Sequence, residues 1–159
     1  MQQPCAPIPV LEKRRIQAQV IKPLYEELCA RLGTEQARAI IGAAIRKAAL
    51  SEGETLAREA PEGRTDLTAF VQVFEAWKAG GALAIDVLEQ SASRFDFDVT
   101  RCRYAEMYRA MGLEDIGDLL SCQRDGVFVE GYNPAIRLER AQTIMQGASR
   151  CTFRYRFEP

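Results

Sequence analysis

From Val10 to Leu32 the apolar residues Ile16, Val20, Leu24, Leu28 and Leu32 recur every four positions, with Arg14, Arg15, Glu26 and Glu27 off that line. This spacing predicts an amphipathic helix with its apolar line toward the core and a kink point at Pro23. Gly33 suits the end of that helix and Thr34 the N-cap of the next. The second helix is expected to reach about Leu50 through Ala37, Ile40, Ile41, Ala44, Ile45 and Ala48, completing a helical hairpin. Residues 51–63, with Glu52, Glu54, Glu59, Glu62 and Pro61, read as a helix tail and a polar loop. Thr65 or Asp66 can cap a third helix carrying Leu67, Phe70, Val71, Phe74 and Trp77, which Gly80-Gly81 ends.

The period then changes to two. Ala82–Leu88 and Arg94–Tyr104 read as strands, with Phe95, Phe97 and Val99 alternating against Asp96, Asp98 and Thr100. Short helices are predicted over 104–111 and 114–122, and glycine and proline punctuate 123–135. Ile136–Met145 and Arg150–Phe157 complete the pattern as two strands around a loop at 146–149, with Cys151, Phe153, Tyr155 and Phe157 on one face and Arg150, Thr152, Arg154 and Arg156 on the other. The predicted fold is α+β, a helical N-terminal half packed on a mostly antiparallel sheet of about four strands. Pro4, Pro7 and Pro9 make residues 1–9 an extended leader, and 10–159 a single domain.

Composition narrows the function. Lys+Arg of 21 against Asp+Glu of 22 leaves a net charge of -1, so no global field would hold nucleic acid or an anionic membrane. No stretch approaches the roughly 20 apolar residues of a bilayer span, and no signal peptide is visible, so a cytoplasmic protein is expected. Cys5, Cys29, Cys102, Cys122 and Cys151 are widely spaced and read as free thiols. The chain contains no histidine, which excludes Ser-His-Asp, Cys-His and His-ligated zinc chemistry within it.

Reactive residue types concentrate after position 100. Cys102 stands where a strand enters a helix, flanked by Arg101 and Arg103, with Glu106 four residues on; a helix start lowers a thiol pKa. Asp125 follows Cys122 by three residues and neighbours it if the helix persists that far. Cys151 lies on the aromatic face of the last strand, where desolvation raises a thiol pKa. Plainer roles stand beside these. The cysteines can be core packing, Glu106 and Asp125 surface acids, and Asp96, Asp98, Arg150, Arg154 and Arg156 solvated strand faces. Cys102, Cys122 and Cys151 with Asp125 or Glu106 could also gather as a thiolate metal site, although the primary expectation is no metal and no cofactor.

In order, the segments Arg101-Cys102-x-Tyr104-Ala105-Glu106, Asp115-Ile116-Gly117-x-x-Leu120-x-Cys122-x-x-Asp125 and Arg140-x-x-Thr143-Ile144-Met145-x-Gly147-x-x-x-Cys151-x-Phe153 resemble the L-2-amino-thiazoline-4-carboxylic acid hydrolase family, as do Arg14-Arg15-Ile16 and Pro23-Leu24-Tyr25. The resemblance implies a hydrolase that opens a small carboxylated five-membered ring, a cyclic amidine, isothiourea or cyclic amide, with carbon–nitrogen bonds among its targets. A thiolate among Cys102, Cys122 and Cys151 would attack C2, or Glu106 or Asp125 would activate water. Arg140 would bind the substrate carboxylate through its bidentate guanidinium. The alternative is a non-catalytic α+β sensor in which the cysteines line a pocket and Arg140 holds a carboxylated ligand. A homo-oligomer through the Ala- and Gly-rich second helix is a further expectation.

Overall fold

Residues 6–159 are described in the computed structural model, so Pro4 and Cys5 of the predicted leader lie outside the described residues. Residues 6–9 are exposed and without regular structure. Helix α1 (Val10–Leu32) runs unbroken through Pro23, and Gly33, at φ 85°, turns the chain into α2 (Thr34–Arg58). Thr34 is the first helical residue and makes no cap, and α2 continues eight residues beyond Leu50. Asp66 caps α3 (Leu67–Lys78) by accepting the Ala69 N–H at 2.8 Å, and Gly80 and Gly81, both left-handed, end it.

Strands β1 (Leu83–Gln90) and β2 (Arg94–Cys102) form a hairpin, and β2 passes directly into α4 (Arg103–Ala110). A single π-helical turn, Asp118–Cys122, leads into α5 (Gln123–Tyr132), followed by β3 (Ile136–Glu139) and β4 (Cys151–Phe157). The sheet is antiparallel throughout, in the order β1-β2-β4-β3. The predicted α+β architecture is therefore the observed one, with two corrections. Residues 123–132, read as punctuated loop, are helix, and the strand expected over 136–145 stops at Glu139 before a 3-10 turn at Ile144–Gln146.

The face of α1 also differs from expectation. Steps of four residues advance about 40° beyond a full turn, so a line drawn through them winds around the helix. Val20 and Leu24 are 62% and 55% exposed, while Arg14, Ala18 and Tyr25 face inward.

Two apolar clusters result. In one, α3 and α5 lay Phe70, Phe74, Phe128 and Tyr132 over the inner sheet face of Phe95, Phe97, Phe153 and Tyr155. In the other, Ala18, Tyr25, Ile41 and Ile45 of α1 and α2 pack on Tyr108, Ile116 and Leu120. On the outer sheet face the aspartates are buried beneath arginines: Arg150 and Arg154 bond Asp98 at 3.2 and 2.9 Å, and Arg156 pairs with Asp96. Each of the three arginines of that stripe is thus paired with one of the two aspartates, so most of its charge is matched within the sheet.

Helices α2 and α5 cross at glycines. A Cβ on Gly53 would stand 2.2 Å from the Phe128 carbonyl oxygen, and one on Gly131 would stand 2.2 Å from that of Leu50. Backbone meets backbone there, so neither site can accept a side chain without parting the helices. Gly131→Ala and Gly53→Ala are each expected to cost about 1–3 kcal/mol or more from overpacking. Gly126→Ala, in the same helix with open space around its Cβ, is expected to stabilise by about 0.5–1 kcal/mol. Urea denaturation of the three variants checks this, and equal effects at Gly126 and Gly131 would count against the crossing.

Candidate active site

Where the two apolar clusters meet, the helices leave a cavity of about 60 Å³. Its lining comes from distant parts of the chain: Arg14 from α1, Ala49 and Glu52 from α2, Phe74 and Trp77 from α3, Cys102 and Tyr104 at the β2–α4 junction, and Ser121 and Cys122 from the π turn. Arg124, Asp125 and Phe128 of α5, Arg140 just after β3, and Cys151 and Phe153 of β4 close it. Five of the six residues singled out in the sequence, Cys102, Cys122, Asp125, Arg140 and Cys151, therefore face one space. Glu106 does not. It is exposed on α4 and bonds Arg101 through both carboxylate oxygens at 2.8 and 3.1 Å, which holds its pKa below the usual range.

The chain stays helical from the π turn through Asp125, so Cys122, at the N-cap of α5, and Asp125 in its first turn both face the cavity. The Asp125 carboxylate accepts a 2.6 Å bond from Arg140, whose other terminal nitrogen donates to the Cys122 carbonyl. Arg140 also lies over the Phe153 ring at 4.9 Å, a cation–π contact that fixes its plane. Its guanidinium is thus already engaged by protein groups. Burial raises the Asp125 carboxyl above its ordinary range, and Arg140 opposes that shift.

None of the three cavity thiols is activated. Burial pushes Cys102 to about 11, and although its sulfur caps α4 by accepting the Ala105 N–H at 3.4 Å, this pull is the smaller effect. The lowering expected from a helix start is outweighed by desolvation. Cys122 rises to about 12, from burial first and the Asp125 charge second. Cys151 is raised by burial while its sulfur accepts the Ile144 N–H at 3.1 Å. Among the described residues, no three His, Cys, Asp or Glu side chains are grouped to hold a metal ion.

Sequence reasoning missed a second charged group in the same wall. Glu52 accepts Arg14 at 3.0 Å and Arg124 at 3.3 Å on one oxygen and Lys13 at 2.9 Å on the other. Arg14 and Arg124 are buried, while Glu52 stays about one-third exposed. Burial, and then the neighbouring Arg14, lower Arg124 to about 10. The available signal was the line Arg14, Ala18, Tyr25 on α1, which follows the helical repeat and carries an arginine to the core. The Tyr155 hydroxyl, buried in β4, is the one buried side-chain polar atom without a partner among the described residues.

Two outcomes follow. Alkylation at pH 7 is expected to leave Cys102, Cys122 and Cys151 unmodified in the folded protein and to reach all three after unfolding, read by mass spectrometry; one fast-reacting cavity thiol would contradict the raised pKa values. Arg140→Met leaves a largely enclosed carboxylate uncompensated and is expected to cost about 1–3 kcal/mol at neutral pH. Because the unpaired carboxyl then binds its proton more tightly folded than unfolded, that deficit should shrink as pH falls; a pH-independent deficit in denaturation curves would argue against the pair.

A family model described as L-2-amino-thiazoline-4-carboxylic acid hydrolase matches residues 13–155. No curated protein matches the sequence. Among solved structures, the chain is similar to the phenol-responsive sensory domain of the transcription activator PoxR bound to phenol, at 14% identity and a TM-score of 0.55, over 87% of this chain and 73% of that one. It is also similar to a trafficking protein particle complex subunit 3 from Naegleria fowleri covalently bound to palmitic acid, at 11% identity and a TM-score of 0.56, over 92% and 96%. At these identities the likeness is one of fold.

Proposed function

Because the chain belongs to the L-2-amino-thiazoline-4-carboxylic acid hydrolase family, we propose that the cavity hydrolyses a small carboxylated five-membered ring, with Asp125 as the base that activates water. The observation that carries this reading is the enclosure of Asp125 beside Arg140 in a cavity whose thiols are all held protonated. Burial makes Asp125 a stronger base than an exposed aspartate, while Arg140 holds it in place and opposes part of that shift. A neutral buried thiol is a poor nucleophile, so the carboxylate-and-water route is favoured over thiolate attack.

In a 2-amino-thiazoline, Asp125 takes one proton from water as the water oxygen bonds to C2 and the C2–nitrogen double bond opens to a single bond. The C2–sulfur bond of the adduct then breaks as the hydroxyl's remaining proton passes to the ring nitrogen, which leaves the urea carbonyl, and the proton held by Asp125 goes to the leaving sulfur. One water is consumed, and a urea and a free thiol are formed, as in N-carbamoyl-cysteine. In a cyclic amide the same steps would break a carbon–nitrogen bond. Cys102, Cys122 and Cys151 shape the wall in this scheme, and Arg140 positions the base.

The competing reading is a non-catalytic sensor of this fold. Its nearest support is the likeness to a phenol-responsive domain, but phenol brings no charge, and a cavity lined by Arg14, Arg124 and Arg140 suits an anionic ligand better. Incubation with 2-amino-thiazoline-4-carboxylate, followed by thiol release, tests the reading directly. Asp125→Asn is expected to lower kcat by about 10²-fold or more. Each single Cys→Ser variant at 102, 122 and 151 is expected to keep kcat within tenfold of the parent's. In the parent, kcat/KM should rise with pH through one step above the ordinary aspartate value near 4 and then stay level through pH 9. Binding without turnover would favour the sensor, and loss of activity in one Cys→Ser variant would restore the covalent route.

A further inference from the structure

The cation excess at the cavity wall has a chemical use. Arg14, Arg124 and Arg140 line the cavity against two carboxylates, Glu52 and Asp125, and Lys13 adds a fourth cation on Glu52 from the adjoining groove. Asp125 is matched by Arg140, whereas Glu52 alone answers Arg14, Arg124 and Lys13. Each guanidinium carries five N–H donors. Among the described residues, the hydrogen-bond acceptors of Arg14 are Gln17 and Glu52, and those of Arg124 are the Leu120 carbonyl and Glu52. Both therefore keep donors free to meet a second carboxylate.

Position supports the same use. A wider groove between α1, α2 and α3 adjoins the cavity and shares Val10, Glu52, Trp77, Arg124 and Phe128 with it. An anion arriving along that groove meets Lys13 and Glu52 first and the buried guanidiniums next. Glu52, partly exposed at this junction, is placed to give up its arginines to an incoming carboxylate and turn outward with Lys13.

We propose that Arg14 and Arg124 form the subsite for the carboxylate of the ligand, with Glu52 as a resident counter-ion that the ligand displaces. This rests on the reading of the cavity as the site for a small carboxylated ring, and it moves the anion-binding role from Arg140 to a pair on α1 and α5. Arg140 is a positioning residue for Asp125.

The test is equilibrium binding of L-thiazolidine-4-carboxylate, a saturated ring without the reactive C2 centre, and of its carboxamide. Quenching of Trp77, the only tryptophan and part of the cavity wall, reports occupancy. The carboxylate is expected to bind at least tenfold tighter than the carboxamide. Arg14→Gln and Arg124→Gln should each remove most of that preference while leaving carboxamide binding within twofold. Should either variant fail to fold, Glu52→Gln decides the matter. Removing the competing carboxylate should tighten carboxylate binding several-fold, an effect that a purely structural salt bridge would not produce.

Equal binding of acid and amide, no binding of the acid at millimolar concentration, or weaker acid binding in Glu52→Gln would overturn the subsite. Because no bond is cleaved in the assay, its outcome is independent of whether the enzyme turns over any ring. Loss of turnover with the acid preference intact would count against the hydrolase and leave the subsite standing.

Discussion

The backbone contact between α2 and α5 is the constraint on which the rest of the molecule depends. With Gly53 against Phe128 and Gly131 against Leu50, the two helices approach as closely as main chains allow. That approach seats Glu52, next to Gly53 in sequence, within reach of Arg124, 72 residues away. It also holds α5 between the inner sheet face and the N-terminal helices, so that Arg124 points toward Arg14 and Glu52 while the adjacent Asp125 meets Arg140 from beyond β3. The cavity is the space this arrangement cannot fill. Both apolar clusters end at it, with Leu83, Cys102 and Ile144 touching each.

Charges at such a position are costly in themselves. A buried guanidinium loses most of its hydration, and the attraction of its partner returns that loss only where geometry is good and the remaining donors are used. Asp125 and Arg140 meet this condition through a short bond, a carbonyl and an aromatic face. Arg14 and Arg124 meet it incompletely, since they share a single carboxylate oxygen. Removing two arginines in favour of aliphatic side chains would be the simpler way to stabilise the fold. Both instead stand in the wall of the cavity, where donors not used by the protein can meet a ligand.

Much of this fold was legible in the sequence because it rests on strong periodicity. The twofold alternation of Phe95, Phe97 and Val99 with Asp96 and Asp98 located a strand and its faces, and the extent of α1 followed from its apolar spacing. Helix α5 was hidden because Gly126 and Gly131 read locally as breakers, and the need for glycine at 131 arises only from a partner helix some 80 residues away. The face of α1 was misread because Ile16, Val20 and Leu24 look like core residues, whereas Arg14 looks like surface; the reverse holds in the folded chain. The same bias concealed half of the site. Cys102, Cys122, Asp125, Arg140 and Cys151 are residue types that invite a chemical reading, but Glu52 and Arg124 sit in charged surroundings where solvation is the default expectation.

The missing histidine gives these placements their chemical consequence. Without imidazole, a base near neutrality must be a carboxylate raised by burial, an amine lowered by it, or a thiol. Burial acts on the cavity thiols in the direction that disables them, keeping Cys102 and Cys122 protonated well past neutral pH. The same burial acts on Asp125 in the direction that makes a carboxylate more basic. One desolvated cavity thus silences one class of candidate and strengthens the other. Arg140 limits the effect: the cation at 2.6 Å favours the charged carboxylate and opposes the rise that burial causes. The ion pair and the enclosure therefore act on one carboxylate in opposite directions, burial raising its pKa and Arg140 lowering it, with burial the larger effect.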